Sequence, residues 1–213
     1  MWKSAKIGTR RVGVNGPIPY SMQQVKYLTT AETEALFRAI PESAVRDRFM
    51  LDLIYRHGFR RLEAALLRLE NVQGDRIWIG RVKNGVSGEY PLHPSTQRLL
   101  ATYLKRRRNP DNPFLLTSRQ SGNDRPLSVS TIYNTFKKYA ILAGISQENR
   151  HVHVLRHSIA VHLMNAGWSA ADVQDWLGHK CISSTMIYGT VSNQRRERNY
   201  ETTVGSEEIA NTL

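Results

Sequence analysis

The stretch HVHVLRHSIAVHL, residues 151–163, holds four histidines and one arginine in thirteen positions, and how it is read decides the rest of the chain. His151 and His153 alternate, and alternating side chains face the same way only on a strand. In that form the His-hydrophobe-His pattern matches the metal site of HUH endonucleases, which nick single-stranded DNA with a tyrosine and a divalent ion. From His153 onward, however, the pattern is helical, and 149–165 contains no Asp, Glu or Cys to complete a ligand set. On a helix His153 and Arg156 stand three apart and project from one face. An imidazole beside a guanidinium suits a phosphate: arginine offers a permanently charged fork for two oxygens, and histidine can exchange a proton. His157 and His162 read as ordinary helix-face histidines. Such a phosphate site still lacks a nucleophile and a second cation.

Both occur elsewhere in the chain. DVQDWLGHKCISSTMIYGTV, residues 172–191, puts His179 after a Leu-Gly turn and Tyr188 nine residues later, after a short helix. A tyrosine can attack a phosphodiester and keep the bond energy in a phosphotyrosine, provided its phenol is deprotonated during attack. HGFRRLEA, residues 57–64, places Arg60 immediately after a turn. Lys83 falls near the tip of a hairpin expected between Ile77-Ile79 and Tyr90-Leu92, where Asn84-Gly85 and Gly88 mark turns.

Around these motifs the chain reads as mainly α with a small antiparallel β-sheet near its middle, an α+β domain. Thr29 with Glu32 three residues on fits a capping box opening a helix. A second helix runs from beyond Pro41 to His57-Gly58, and RLEAALLRLENV, residues 61–72, continues as a third amphipathic segment. STQRLLATYLKRRR, residues 95–108, is helical, PFLL, residues 113–116, is a candidate strand, and SVSTIYNTFKKYAILAG is helical up to Gly144. Further helices break at Gly167, Gly178 and Gly189.

The composition is globular, with 40% hydrophobic and 23% charged residues, and no run reaches the length of a membrane span. One cysteine, Cys181, excludes an internal disulfide and a Cys-rich zinc site, so a reducing cytoplasmic setting is expected. Thirty Lys and Arg against eighteen Asp and Glu give a net charge of +12, which points to a polyanionic partner such as double-stranded DNA. Residues 1–27 carry Lys3, Lys6, Arg10, Arg11 and Lys26 without an acidic residue and read as a basic N-terminal arm. The arm and the run Lys105, Arg106, Arg107, Arg108 are candidates for DNA-backbone contacts; for the run, a solvated helix C-terminus favoured by the dipole is an equal reading.

HGFRRLE, HVLRH and LGHKCISSTMIY, in this order and with these separations, resemble the catalytic domain of the tyrosine recombinases, the phage-integrase family. The motifs span residues 58–188, and the family layout extends from about Leu28 to the end of the tyrosine helix. The resemblance implies that Arg60 and Arg156 clamp the non-bridging oxygens of the scissile phosphate, while Lys83 protonates the leaving 5′ oxygen. It also implies that His153 assists proton removal from the tyrosine, that His179 donates a hydrogen bond to the phosphate, and that Tyr188 is the nucleophile. Glu63 matches an acidic position that orients the site. Neither metal nor another cofactor is needed. A full exchange cuts four strands with one tyrosine per chain, which implies a tetramer on two DNA sites, with DNA-bending helper proteins a further expectation.

Family members usually carry a separate N-terminal helical domain that completes a clamp on DNA. With the arm ending at 27, the expectation is a single catalytic domain over 28–213, C-terminal tail included. RVKNGVSGEYPL and YGTVSNQRRER strengthen a similarity to compact fimbrial-type invertases, although a compact integrase would look much the same. Two rivals remain open: an HUH-type nickase, and a DNA-binding regulator with a dormant site.

Overall fold

A computed structural model describes residues 25–83, 85–117 and 125–189. The elements run α1 (Thr30–Arg38), α2 (Val45–His57), α3 (Arg61–Leu66), β1 (Val72–Gln73), β2 (Arg76–Ile79), β3 (Gly88–Pro91), α4 (Pro94–Arg106), α5 (Val129–Leu142), α6 (His153–Asn165), α7 (Ala170–Leu177) and α8 (Ser183–Gly189). The expected α+β architecture is present, with the sheet in the order β1-β2-β3, all antiparallel. Among the described residues, no helix is long and apolar enough to cross a membrane.

Thr29 caps α1 as its spacing to Glu32 requires. Its hydroxyl accepts the Glu32 amide, and the Glu32 carboxylate accepts the Thr29 amide in return. Helix α2 is the axis of the domain. Phe49, Met50, Leu51, Leu53 and Ile54 are all fully buried, because α2 packs between α4 and α6. A helix apolar around most of its circumference belongs in such a place. It stops at Gly58, whose φ of 59° lies in the left-handed region and lets the Phe59 amide turn back onto the Ile54 carbonyl.

Three expectations for the segment after Gly58 need correction. The third helix ends at Leu66 instead of running through Val72. Leu67 turns extended, its carbonyl accepts the Leu115 amide at 2.7 Å, and the Leu69 amide donates to the Pro113 carbonyl at 2.9 Å. This arrangement buries Leu67, Leu115 and Leu116 together, an outcome that local helical propensity cannot foresee. PFLL accordingly forms no strand but a single bridge, Phe114 to Arg68. Val72 enters a short strand, β1, not foreseen in the sequence. In β2 the residues alternate, with Ile77 and Ile79 inward and Arg76 and Trp78 outward.

Most of the core gathers around α2. A second apolar cluster lies among α6, α7 and α8: Ile159, Ala160, Val161, Met164, Val173, Leu177 and, within the same group, Tyr188. The tyrosine stands on α8 itself rather than beyond it.

Candidate active site

Glu63 anchors one side of the site. As the third residue of α3 it reaches back to the Arg60 amide at 2.9 Å, and its other oxygen meets the Arg60 guanidinium at 2.7 Å. The same carboxylate accepts the Val82 amide at 3.2 Å and the Arg81 guanidinium at 3.1 Å. Burial raises the Glu63 pKa, but the bond from the Arg60 amide and the charges of Arg81 and Arg60 outweigh it, so the net shift is downward. Glu63 thus fixes Arg60 and the base of the hairpin bearing Lys83 in one arrangement.

Arg81 extends that arrangement to a third segment. Its buried guanidinium donates to the carbonyls of His57 at 3.0 Å and Trp176 at 2.9 Å, and lies over the rings of Phe59 and Tyr90. The Val86 amide donates to the Gly178 carbonyl at 3.1 Å. Gly178 adopts φ +64°, and a Cβ there would meet the Val86 carbonyl and the Arg81 side chain. The hairpin and the Leu-Gly-His turn are therefore joined directly. Arg81 had no role in the sequence reading. The signal was present: Arg81 continues the inward register Ile77, Ile79, and an inward charge at a strand end calls for a partner.

Arg156 lies one turn into α6 and is 1% exposed. It donates to the Gly58 carbonyl and, at 2.8 Å, to the Leu177 carbonyl, which fixes the end of α2 to the end of α7. Burial first, then the neighbouring charges of Arg60 and Arg81, push its pKa down to about 9, so it stays a cation at neutral pH. A guanidinium has five N–H donors. The two carbonyls leave others for an anion.

The Tyr188 hydroxyl bonds to His157 Nδ1 at 2.9 Å. Its ring lies parallel to that of His179 at 6.5 Å, and His179 Nδ1 is engaged by the Thr185 hydroxyl at 2.9 Å. Burial raises the Tyr188 pKa to about 12, against the opposing pull of Arg156 and Arg60. Burial, with the charges of Arg156 and Arg60 next, lowers His179 to about 4. His153 stands at the surface, where partial burial of its ring and the proximity of His157, Arg156 and Arg60 lower its pKa. The imidazoles are neutral at pH 7.

The structure thus brings Arg60, Glu63, His153, Arg156, His179 and Tyr188 into one electrostatic neighbourhood, and the His153 ring also meets that of His157 edge-on at 4.6 Å. His157 itself was read as an ordinary helix-face residue alongside His162. That reading holds for His162, which bonds the Tyr55 hydroxyl at 2.7 Å away from the site. For His157 it is corrected, because His157 touches the nucleophile candidate. Lys83 is exposed at the hairpin tip with φ +57°. His151 and His153 occupy a bend and the first turn of α6, not a strand, so the alternation that suggested a metal site is absent. Among the described residues, no group of three or more His, Cys, Asp or Glu is gathered to hold a metal.

Lys3, Lys6, Arg10 and Arg11 lie outside the described residues. Lys105 and Arg106 close α4 and Arg107 and Arg108 follow it; Arg106, Arg107 and Arg108 lie beside Ser43–Asp47, at the opposite end of α2 from Gly58. Thirteen helical residues separate those ends by roughly 20 Å. Arg107 caps the carbonyls of Pro110, Asn112 and Phe114, which is structural work.

This fold is that of tyrosine recombinase catalytic domains. The chain belongs to the phage integrase family, whose model matches residues 26–195. It is 34% identical over 181 residues to the tyrosine recombinase XerA of Pyrococcus furiosus, covering 84% of this chain and 61% of that protein. It is 35% identical over 182 residues to the tyrosine recombinase XerD of Vibrio cholerae, covering 80% of this chain and 58% of that protein. The chain spans about three-fifths of the length of these curated relatives. Among solved structures, XerA recombinase superposes with a TM-score of 0.70 at 25% identity, covering 83% of this chain and 65% of that one. The catalytic domain of bacteriophage HP1 integrase gives 0.59 at 18%, covering 87% and 99%.

Proposed function

We propose that this chain is a site-specific DNA recombinase that cuts and rejoins double-stranded DNA through a 3′-phosphotyrosyl link on Tyr188. The observation that carries the reading is a buried tyrosine hydroxyl, hydrogen-bonded to an imidazole, in the field of two arginine cations, Arg156 and Arg60. A phosphodiester between those arginines has its transition-state charge met by preorganised donors. Lys83 protonates the leaving 5′ oxygen, His179 donates to a phosphate oxygen, and His153 supports proton removal. Attack by another strand's 5′-hydroxyl reverses the cut. The bond energy stays in the phosphotyrosine, so the scheme calls on neither metal nor nucleotide. Inversion, integration and excision share this chemistry.

The relatives' names and the +12 charge support DNA as partner. A tetramer on two sites follows from one tyrosine per chain, with DNA-bending helper proteins as accessory partners, and the cytosol is the compartment. The basic arm 1–27 adds DNA-backbone contacts to those made by the catalytic domain at 28–213.

Covalent trapping in EDTA, on duplexes from DNA flanking the gene, tests the reading by comparing the protein with Tyr188→Phe. A 3′-linked adduct that disappears in the variant is expected. An adduct that requires metal and joins a 5′ phosphate would mean HUH chemistry instead. Binding without any adduct would mean a dormant regulator.

A further inference from the structure

Helix α8 turns two residues inward, Thr185 and Tyr188, one helical turn apart. The recombinase chemistry uses the tyrosine and leaves the threonine without a task. Thr185 is fully buried, where valine would have the same shape and no polar group to satisfy. Among the described residues its hydroxyl makes one hydrogen bond, to His179 Nδ1 at 2.9 Å. Hydroxyls inside helices commonly donate to the carbonyl four residues back. Thr33, Thr102 and Ser158 do so in this protein. Thr185 does not; it reaches out of its helix to an imidazole.

Burial decides the roles in that bond. With no other acceptor for its proton among the described residues, the Thr185 hydroxyl donates and His179 Nδ1 accepts. A neutral imidazole carries one ring proton, which then sits on Nε2. His179 is half-buried, and its Nε2 has no hydrogen-bond partner in the protein among the described residues. The backbone of the residue is held too. Its amide donates to the Gln174 carbonyl at 3.0 Å, and the Gln174 side-chain amide donates to the His179 carbonyl at 3.0 Å. Arg156 and Arg60 lie near enough to act on the ring, so an Nε2–H adds a further donor to a site already rich in them.

Resting on the recombinase reading, we infer that Thr185 is a positioning residue for phosphoryl transfer: its hydroxyl holds His179 as the Nε2–H tautomer, so that the ring presents a donor, and not a lone pair, to the phosphate. In the other tautomer a lone pair would face the phosphate oxygen and oppose the charge that builds there. Thr185 itself touches neither the DNA nor the reacting atoms and transfers no proton. The same bond ties the turn at 178–181 to the helix that bears Tyr188.

The test pairs Thr185→Val, which keeps the shape and removes the donor, with Thr185→Ser, which keeps the donor. In the DNA-free protein, nitrogen NMR should report His179 with its proton on Nε2 in wild type and Thr185→Ser, and a mixture of tautomers in Thr185→Val. Single-turnover adduct formation on nicked duplexes from the flanking DNA should be about 10- to 100-fold slower in Thr185→Val, with DNA binding unchanged, and serine should restore most of the rate. In a His179→Ala background, Thr185→Val should add less than about twofold. A wild-type proton on Nδ1 would overturn the inference without recourse to any variant. So would a wild-type rate in Thr185→Val, or undiminished slowing by that change in the His179→Ala background, which would make Thr185 a packing residue of α8. These outcomes leave the adduct on Tyr188 in place and sink this inference alone. If wild type and Tyr188→Phe alike give no 3′ adduct, the recombinase reading falls and this one with it.

Discussion

Glu63 and Tyr188 are both buried polar groups within one site, and they are held in opposite ways. Glu63 receives four donors from Arg60, Arg81 and Val82, three of them from charged side chains or a helix start; these join the start of α3 to the hairpin, and Arg81 carries the link on to the carbonyls of His57 and Trp176. Tyr188 has one neutral partner, on a seven-residue helix at the edge of a smaller apolar cluster. Charge-assisted, multiply satisfied bonds resist displacement, while a single neutral bond is worth about 1 kcal/mol net. On the proposed reading, the difference separates the two demands of phosphoryl transfer: the side that would hold the phosphate is fixed before substrate arrives, and the proposed nucleophile is restrained only lightly.

Arg81→Met should break this contrast most severely. It leaves the buried Glu63 carboxylate short of a cation and two carbonyls unserved, costing on the order of 3–5 kcal/mol, measurable as a large fall in the urea midpoint. A loss under about 1 kcal/mol would mean that the arrangement around Glu63 is not a fixed frame. Arg107→Ala removes a comparable arginine-on-carbonyl lock at the end of α4, nearer the surface. The expected cost is roughly 2 kcal/mol, with the salt slope of DNA binding unchanged; a flatter slope would return Arg107 to the DNA-contact class. Tyr188→Phe should cost only about 1 kcal/mol while abolishing the adduct. A cost matching that of Arg81→Met would erase the contrast.

Acid should sharpen the comparison by separating the two sides in pH. His157 and His179 have folded pKa values lowered to about 4, and His153 is lowered with them, against about 6.5 unfolded. The unfolded chain therefore binds more protons below 6.5, and stability present above that pH is lost as pH falls toward 4. Glu63 has a folded pKa below the usual carboxylate range. Its contribution is present above about 4.3 and disappears only as pH falls through the lower folded value. Urea melts from pH 7.5 to 3.5 should show the histidine loss first, and His157→Gln should flatten the upper window alone.

Much of this was legible in the chain. Thr29 with Glu32, Gly58 after a helix and the Leu-Gly-His turn state their geometry locally, because capping and left-handed backbone depend on a few adjacent residues. Glu63 was legible through the family resemblance, as the acidic position three residues after Arg60. What escaped depends on partners distant in sequence. Helix α3 stops at Leu66 because residues 113–115 bond to its exit, nearly fifty residues away. Arg81 serves carbonyls at 57 and 176. His157 meets Tyr188, thirty-one residues later, although its spacing from His153 already put the two histidines on one face.

The two bonds of Arg156, to the Gly58 and Leu177 carbonyls, carry an evolutionary consequence. The tyrosine can be lost with little harm to folding, since only one neutral bond goes with it. Losing Arg156 strands two buried carbonyls and unfastens the central helix from α7. Decay of activity in a lineage is therefore asymmetric: a descendant kept only for binding DNA would shed its nucleophile early and retain the arginine as part of its framework. In such a descendant, an intact arginine would record ancestry, and only the tyrosine would report on present chemistry.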